Sequence, residues 1–293
     1  MRNNFIEILV KKAKKNPKIF LIVGDLGYSV VEPFKELFPE RFLNVGVAEQ
    51  NLAGIASGIA SEGMHVFIYS IANFPTFRCA EFLRNDIDYH KLSVTVVAVG
   101  SGLSYGNLGY SHHGIQDYGL IRMLPNFYIY SPHDISELEY CMEYINDNPG
   151  PSYLRIDKKS QTKSEKKKLN IKPGKWLKIK KNKKNFKKTF LITGNTIEFA
   201  NRLIKLKKYK DFDINSLPIW GLKLKKYQIN QIKNYDKVIT IEDHLHDNGF
   251  GSWLAESVES KYKNRIENIA LSSNVIGKVG DQKYLNKYLK HFF

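Results

Sequence analysis

One acid and two histidines stand where this sequence could place chemistry. Glu49 follows a strand-like run, Phe42 to Val47, that turns at Gly46 and opens a segment, Ala48 to Ala60, rich in Ala and Gly. A carboxylate there lies at the positive end of a helix, where unpaired backbone N–H groups favour negative charge. The small residues behind it let a second backbone come close, so Glu49 would sit at the edge of a packed interface. Helix capping and acid–base work both suit that position. His112 and His113 lie beyond Ser93 to Val99, the most apolar run of the chain, in a loop that is Gly-rich from Gly100 to Gly109. Ligands of open α/β sheets bind beyond the carboxyl ends of such strands. A histidine there can donate to a developing alkoxide or serve the fold alone.

A parallel sheet is what would carry these residues. Strand signals at 18–23, 42–47, 64–70, 93–99, 127–130 and 152–156 alternate with helix signals at 48–62, 77–89, 114–123 and 134–146. Met1 to Asn16 reads as an amphipathic first helix, its lysines ruling out a signal peptide. A polar, lysine-rich break follows from Asp157 to Lys172, and the pattern then restarts. Strands at 189–193 and 237–241 and helices at 196–206 and 252–261 describe a second, smaller unit. The expected fold class is α/β with two doubly wound domains, 1–157 and 173–293, joined by a linker at 158–172. No internal repeat of fixed period is present.

Bulk properties narrow the class. The chain has 293 residues, enough for two cores at roughly 150 residues each. No apolar run approaches the ~20 residues that span a bilayer. Cys79 and Cys141 are two isolated cysteines that fit neither a disulfide framework nor a metal-site spacing, so the expected compartment is the cytoplasm. The net charge of +16 is local: fifteen lysines and one acid lie between Lys158 and Lys188. That run has no arginine and only Trp176 and Phe186 as aromatics, a poor nucleic-acid reader. It reads as a solvated linker. Neither nucleic acid nor membrane is an expected partner.

Four motifs, in order, carry a family resemblance. They are Gly46-Val-Ala-Glu-Gln50, Phe74-x-x-Phe-Arg-x-x-Glu-x-x-Arg84, Ser111-His-His113 and Glu242-Asp-His-Leu-His-Asp-Asn-Gly-Phe-Gly251. Together they resemble the transketolase family, with residues 1–157 similar to its pyrimidine-binding domain and 173–293 to its C-terminal domain. The family's Gly-Asp-Gly motif, which binds diphosphate and a divalent metal, has no counterpart; only Gly24-Asp-Leu and Gly280-Asp-Gln occur. The resemblance therefore implies half an enzyme: the C-terminal subunit of a split transketolase. Its expected partner is an N-terminal subunit carrying the diphosphate and Mg²⁺ site, in an α₂β₂ heterotetramer.

The resemblance also implies roles. Glu49 would be the catalytic acid that hydrogen-bonds the pyrimidine of thiamine diphosphate, with Phe74 and Phe77 packed around that ring. For Phe74 and Phe77, plain core packing at helical i, i+3 spacing stays open. His112 would contact substrate oxygens, and His113 stands where the family has Gln. Arg2 and Lys158 fall at phosphate-binding arginines. Other positions depart: Leu108 replaces an Asp that reads a hydroxyl, Gly100 a His, and Val23 a phosphate-contacting Ser. Tyr105, Asn107 and Tyr110 offer a different lining. The expected reaction is a specialised ketol transfer between sugar-type substrates in carbohydrate biosynthesis. Two alternatives remain beside it. One is a 2-oxo-acid dehydrogenase beta-type or deoxyxylulose-phosphate-synthase-like subunit using a pyruvate-like donor; the other is a non-catalytic scaffold.

Overall fold

The computed structural model describes residues 1–158, 170–182 and 187–292. Thirteen strands occur among them. The first six are β1 (Ile19–Val23), β2 (Phe42–Asn44), β3 (His65–Ile71), β4 (Val94–Val99), β5 (Tyr128–Tyr130) and β6 (Ser152–Ile156). The rest are β7 (Leu177–Lys180), β8 (Lys188–Ile192), β9 (Asp213–Ser216), β10 (Ile219–Trp220), β11 (Lys237–Leu245), β12 (Ile266–Leu271) and β13 (Leu289–Phe292). They form a seven-stranded sheet of order β10-β5-β6-β4-β3-β1-β2 and a six-stranded sheet of order β13-β12-β11-β8-β9-β7. Within the first sheet every pairing is parallel except β10 with β5. In the second, the antiparallel strands β7 and β13 close the two edges. The fold is α/β, with two sheets dominated by parallel pairing.

The sequence reason is plain in β3 and β4, where every residue is buried. Strands covered by helices on both faces need near-continuous apolar runs, and Val94-Thr-Val-Val-Ala-Val99 is one. The chain leaves β1 for β2 on one side and returns to β3 on the other. That reversal opens a crevice beyond the carboxyl ends of β1 and β3, the usual ligand position in such sheets.

Several expected elements come out differently. The single helix expected at 77–89 is broken into turns at Phe74–Phe77 and Ala80–Phe82 and a π turn at Leu83–Asp88. Buried Asp88 anchors that last turn by accepting from the Asn126 amide, at 2.7 Å. The helix expected at 114–123 shortens to Asp117–Ile121, and that at 196–206 to Ile197–Leu203. β10 comes from beyond residue 173 yet joins the first sheet, so the chain crosses back over the expected linear division. Of the lysine-rich linker, residues 159–169 lie outside the described residues.

A buried ion cluster ties the two sheets together. Arg155 of β6 is fully buried and meets Asp117 at 2.7 Å and Asp243 of β11 at 2.5 Å. It also donates to the Gly114 carbonyl at 2.5 Å and lies 4.3 Å from the ring centroid of Tyr118. The guanidinium pairs with buried Asp117 and with the partly exposed Asp243, and the Tyr153 hydroxyl adds a donor to Asp117 at 2.6 Å, so the buried charges of the cluster are matched by partners.

Candidate active site

The crevice at the end of β1 and β3 holds Glu49, the first residue of the helix Glu49–Ser61. Its carboxyl is 1 % exposed. Ser70, near the end of β3, donates to Oε1 at 3.3 Å, and Arg78 donates to Oε2 at 2.6 Å. Gly24, at the end of β1, leaves room beside Oε1: a Cβ there would lie 3.7 Å from it. Arg78 supplies the opposite charge that a buried carboxylate requires. Leu52, Ala53, Ala56 and Ala60 turn the inner face of the helix onto the sheet. Small residues keep that contact close and fix where Glu49 points.

Arg78 links the acid to the rest of the site. Its guanidinium carbon lies 4.3 Å from the Phe74 ring centroid, within cation–π range. The Phe74 ring in turn meets His112 edge-on, with centroids 5.2 Å apart. Glu49, Arg78, Phe74 and His112 thus form one continuous series of contacts. Nothing in the sequence alone places Arg78 against Glu49; an ion-paired outer face is an equal reading of Arg78, Glu81 and Arg84. Phe77 takes no part in the series: it is 49 % exposed on the outer side of its turn. Cys79, whose thiol donates to the Glu49 carbonyl at 2.9 Å, is pushed up to about 12 by burial and offers no thiolate.

The histidine loop is held from below. His113 is fully buried, with Nε2 3.4 Å from the Gly106 carbonyl, and burial pushes its pKa down, so it stays a neutral positioning group. His112 is only half-buried and shares Nδ1 with the Ser111 hydroxyl at 3.0 Å. Asn73 donates to the His113 carbonyl, which ties the Phe74 turn to this loop. The second unit braces the loop as well. Leu103 and Ile115 pack with Leu271, Val275 and Leu285, and Gly280 donates to the Gly106 carbonyl at 3.3 Å. Gly102 must lack a side chain, since its φ is +58° and a Cβ would run into Asp243.

Arg2 and Lys158 meet at a third residue. The Lys158 amine lies 5.0 Å from the Tyr105 ring centroid, and the Arg2 charge acts on the phenol of the same residue, which burial pushes up. The Glu242–Gly251 turn has a structural task. Glu242, fully buried, caps the helix Phe250–Glu256 by accepting from the amides of Phe250 at 2.5 Å and Gly251 at 3.0 Å. Burial pushes its pKa up to about 7. Among the described residues no group of three or more His, Cys, Asp or Glu side chains is placed to hold a metal ion, and no helix is long and apolar enough to cross a membrane.

Residues 1–163 match the family described as transketolase, pyrimidine binding domain. The chain belongs to the transketolase family. A transketolase C-terminal section from Methanocaldococcus jannaschii is 31 % identical over 98 % of this chain and 91 % of its own length. An apulose-4-phosphate transketolase subunit from Actinobacillus succinogenes is 27 % identical over 98 % of this chain and 93 % of its own. A solved structure described as a split-gene transketolase, in an inactive beta4 tetramer, superposes with a TM-score of 0.81 at 28 % identity. It covers 98 % of this chain, and 92 % of the solved chain is matched. The likeness to split transketolase chains therefore runs through both sheets.

Proposed function

We propose that this chain is the C-terminal subunit of a thiamine-diphosphate-dependent split transketolase, moving a two-carbon ketol unit between sugar-type substrates. The observation that carries the reading is the contact series from Glu49 through Arg78 and Phe74 to His112. It sets an acid, a cation, a flat ring and an imidazole along one edge of the sheet, beside the crevice between β1 and β3. The residues present suit the pyrimidine end of the cofactor. The Glu49 carboxyl is sheltered from water, the Phe74 ring is partly open, and the buried Oδ1 of neighbouring Asn73 has no donor. An amino-bearing aromatic heterocycle would match such an acid, face and acceptor.

When bound, thiamine diphosphate supplies a carbon nucleophile that is activated through its own aminopyrimidine. Glu49 would share a proton with the ring nitrogen of that pyrimidine, in a site dry enough for the hydrogen bond to be strong. Arg78, about half exposed, can swing toward solvent and give up one carboxyl oxygen as it does so. Phe74 would cover one face of the heterocycle, a role the exposed Phe77 does not share. His112 would donate to substrate oxygens, with His113 holding its loop from beneath. Arg2 and Lys158 would face the anionic end of the substrate. The diphosphate and Mg²⁺ belong, in this reading, to a partner N-terminal subunit in an α₂β₂ assembly. In this reading the pyrimidine domain takes residues 1–157 together with β10, and the C-terminal domain the rest of 173–293. The relative named for apulose 4-phosphate supports a specialised sugar acceptor in place of the ordinary pentose phosphates.

Glu49→Gln tests the reading in the reconstituted pair. Loss of a positioned acid lowers kcat by about 10²–10⁴, while co-elution of the two subunits persists. Unchanged turnover would remove Glu49 from the chemistry, and full activity of this chain without a partner would end the split-enzyme reading.

A further inference from the structure

We propose that Asp243 is a positioning residue for His112: from the second unit it fixes, through Arg155 and Gly102, the neck of the loop that carries the histidine. What His112 does chemically rests on the ketol-transfer reading. How the loop is held does not.

The loop is pinched shut at its base. The Gly102 amide donates to the Gly114 carbonyl at 2.9 Å, and the Gly114 amide donates back to the Gly102 carbonyl at 2.8 Å. His112 lies two residues from that bracket. Both glycines are packed too tightly to carry a side chain. A Cβ on Gly114 would lie 2.8 Å from the Ala72 Cβ, and one on Gly102 would lie 2.5 Å from Oδ2 of Asp243. That oxygen is buried and accepts no hydrogen bond among the described residues, so it bears on Gly102 by shape alone. Close packing of this kind passes a displacement on to its neighbours.

The outer support comes from β11. Ile241 pairs with Ile269 and Leu245 with Leu271, so the run from Glu242 to His244 bulges out of register with β12. A bulge re-aims side chains. Here Glu242 turns to the helix Phe250–Glu256, and Asp243 turns to Arg155 at 2.5 Å. The Leu245 amide then donates to the Ile115 carbonyl at 2.9 Å, next to the neck. Arg155 spans the gap: its Nη2 donates to the Gly114 carbonyl at 2.5 Å while its Nη1 donates to Asp243. Asp117, at 2.7 Å, still pairs with the guanidinium if Asp243 is removed. Loss of Asp243 therefore loosens the neck without leaving Arg155 unpaired. The place of His112 is set from the other unit.

NMR of the histidine-labelled chain reads the loop directly, with the His112 signals assigned by His112→Gln. Asp243→Ala should shift those signals, because the ring lies edge-on to Phe74 and senses any change in that contact. The signals of His65, the first residue of β3, should stay in place. In the reconstituted pair, with xylulose 5-phosphate and ribose 5-phosphate as probes, kcat should fall roughly tenfold to a hundredfold, the scale for a misplaced group. Asp243→Asn keeps the shape and the acceptor and should restore most of both readouts. Asp243→Glu keeps the charge with a longer reach, so it should press on Gly102 and shift His112 as well. A residue that only stabilised the fold would lower Tm and leave the His112 signals of the folded chain unmoved. Unmoved His112 signals in Asp243→Ala and Asp243→Glu, or an unchanged kcat in folded Asp243→Ala, overturn the proposal, and the ketol-transfer reading survives if the wild-type pair is active. Shifted His112 signals beside a wild-type pair that transfers no ketol unit would refute that reading and leave this assignment standing.

Discussion

Replacing Arg155 with methionine should unfasten the two sheets, and the size of the effect follows from what the guanidinium touches. Arg155 is fully buried between Asp117, also fully buried, and Asp243, whose side chain is 14 % exposed. Methionine fills much of the volume but leaves both carboxylates facing a dry gap. For Asp117 the Tyr153 hydroxyl, at 2.6 Å, remains as a donor. Removing one partner of a buried ion pair costs about 3–5 kcal/mol, because the charge left behind is uncompensated. At about 2–4 °C per kcal/mol for a chain of this size, Tm should fall by about 6–20 °C. The Arg155→Met, Asp117→Asn double variant removes one orphaned charge and should recover about half of the loss or more. Urea or guanidinium titration read by tryptophan fluorescence is the assay, since Trp220 and Trp253 lie near the junction of the two units. The electrostatic reasoning is refuted if Arg155→Met costs less than about 1 kcal/mol, or if the second substitution adds to the damage instead of relieving it.

Two further outcomes are expected. His65 of β3 is buried against Phe67 and Thr95, and burial pushes its pKa down to about 4 from the usual 6.5. The unfolded chain therefore binds more protons between those values, so stability is fully present above pH 6.5 and is lost as pH falls toward 4. The loss amounts to about 2–3.5 kcal/mol, and His65→Leu should flatten the stability slope across that window; an unaltered slope would assign it to other groups. Asp134 caps the helix Ile135–Asp147 by accepting from the Glu137 amide at 2.8 Å. Asp134→Ala should cost about 1–2 kcal/mol, with a loss below a few tenths showing that the neighbouring His133–Glu137 pair already supplies the cap.

The sequence by itself determined the parallel layers and the acid. Strands buried on both faces are mostly apolar, so β3 and β4 announce themselves, and a small-residue helix opening on one carboxylate is a local pattern. The four motifs add the family, which the match over residues 1–163 bears out. Edge and polar strands were not legible in the same way. Asp213-Ile-Asn-Ser216 is buried only because Lys178 meets Asp213 and Thr189 meets Asn215, partners distant in the chain. β7 alternates outward lysines with inward apolar residues, which the lysine run around it hides. Tertiary structure alone decided that Arg78 faces Glu49, that β10 crosses into the first sheet, and that Tyr105 stands where Gly100 has no side chain. Periodicity reports which face of an element is dry. Which charge meets which, across tens of residues, is set by packing, and packing exists only once both sheets have formed.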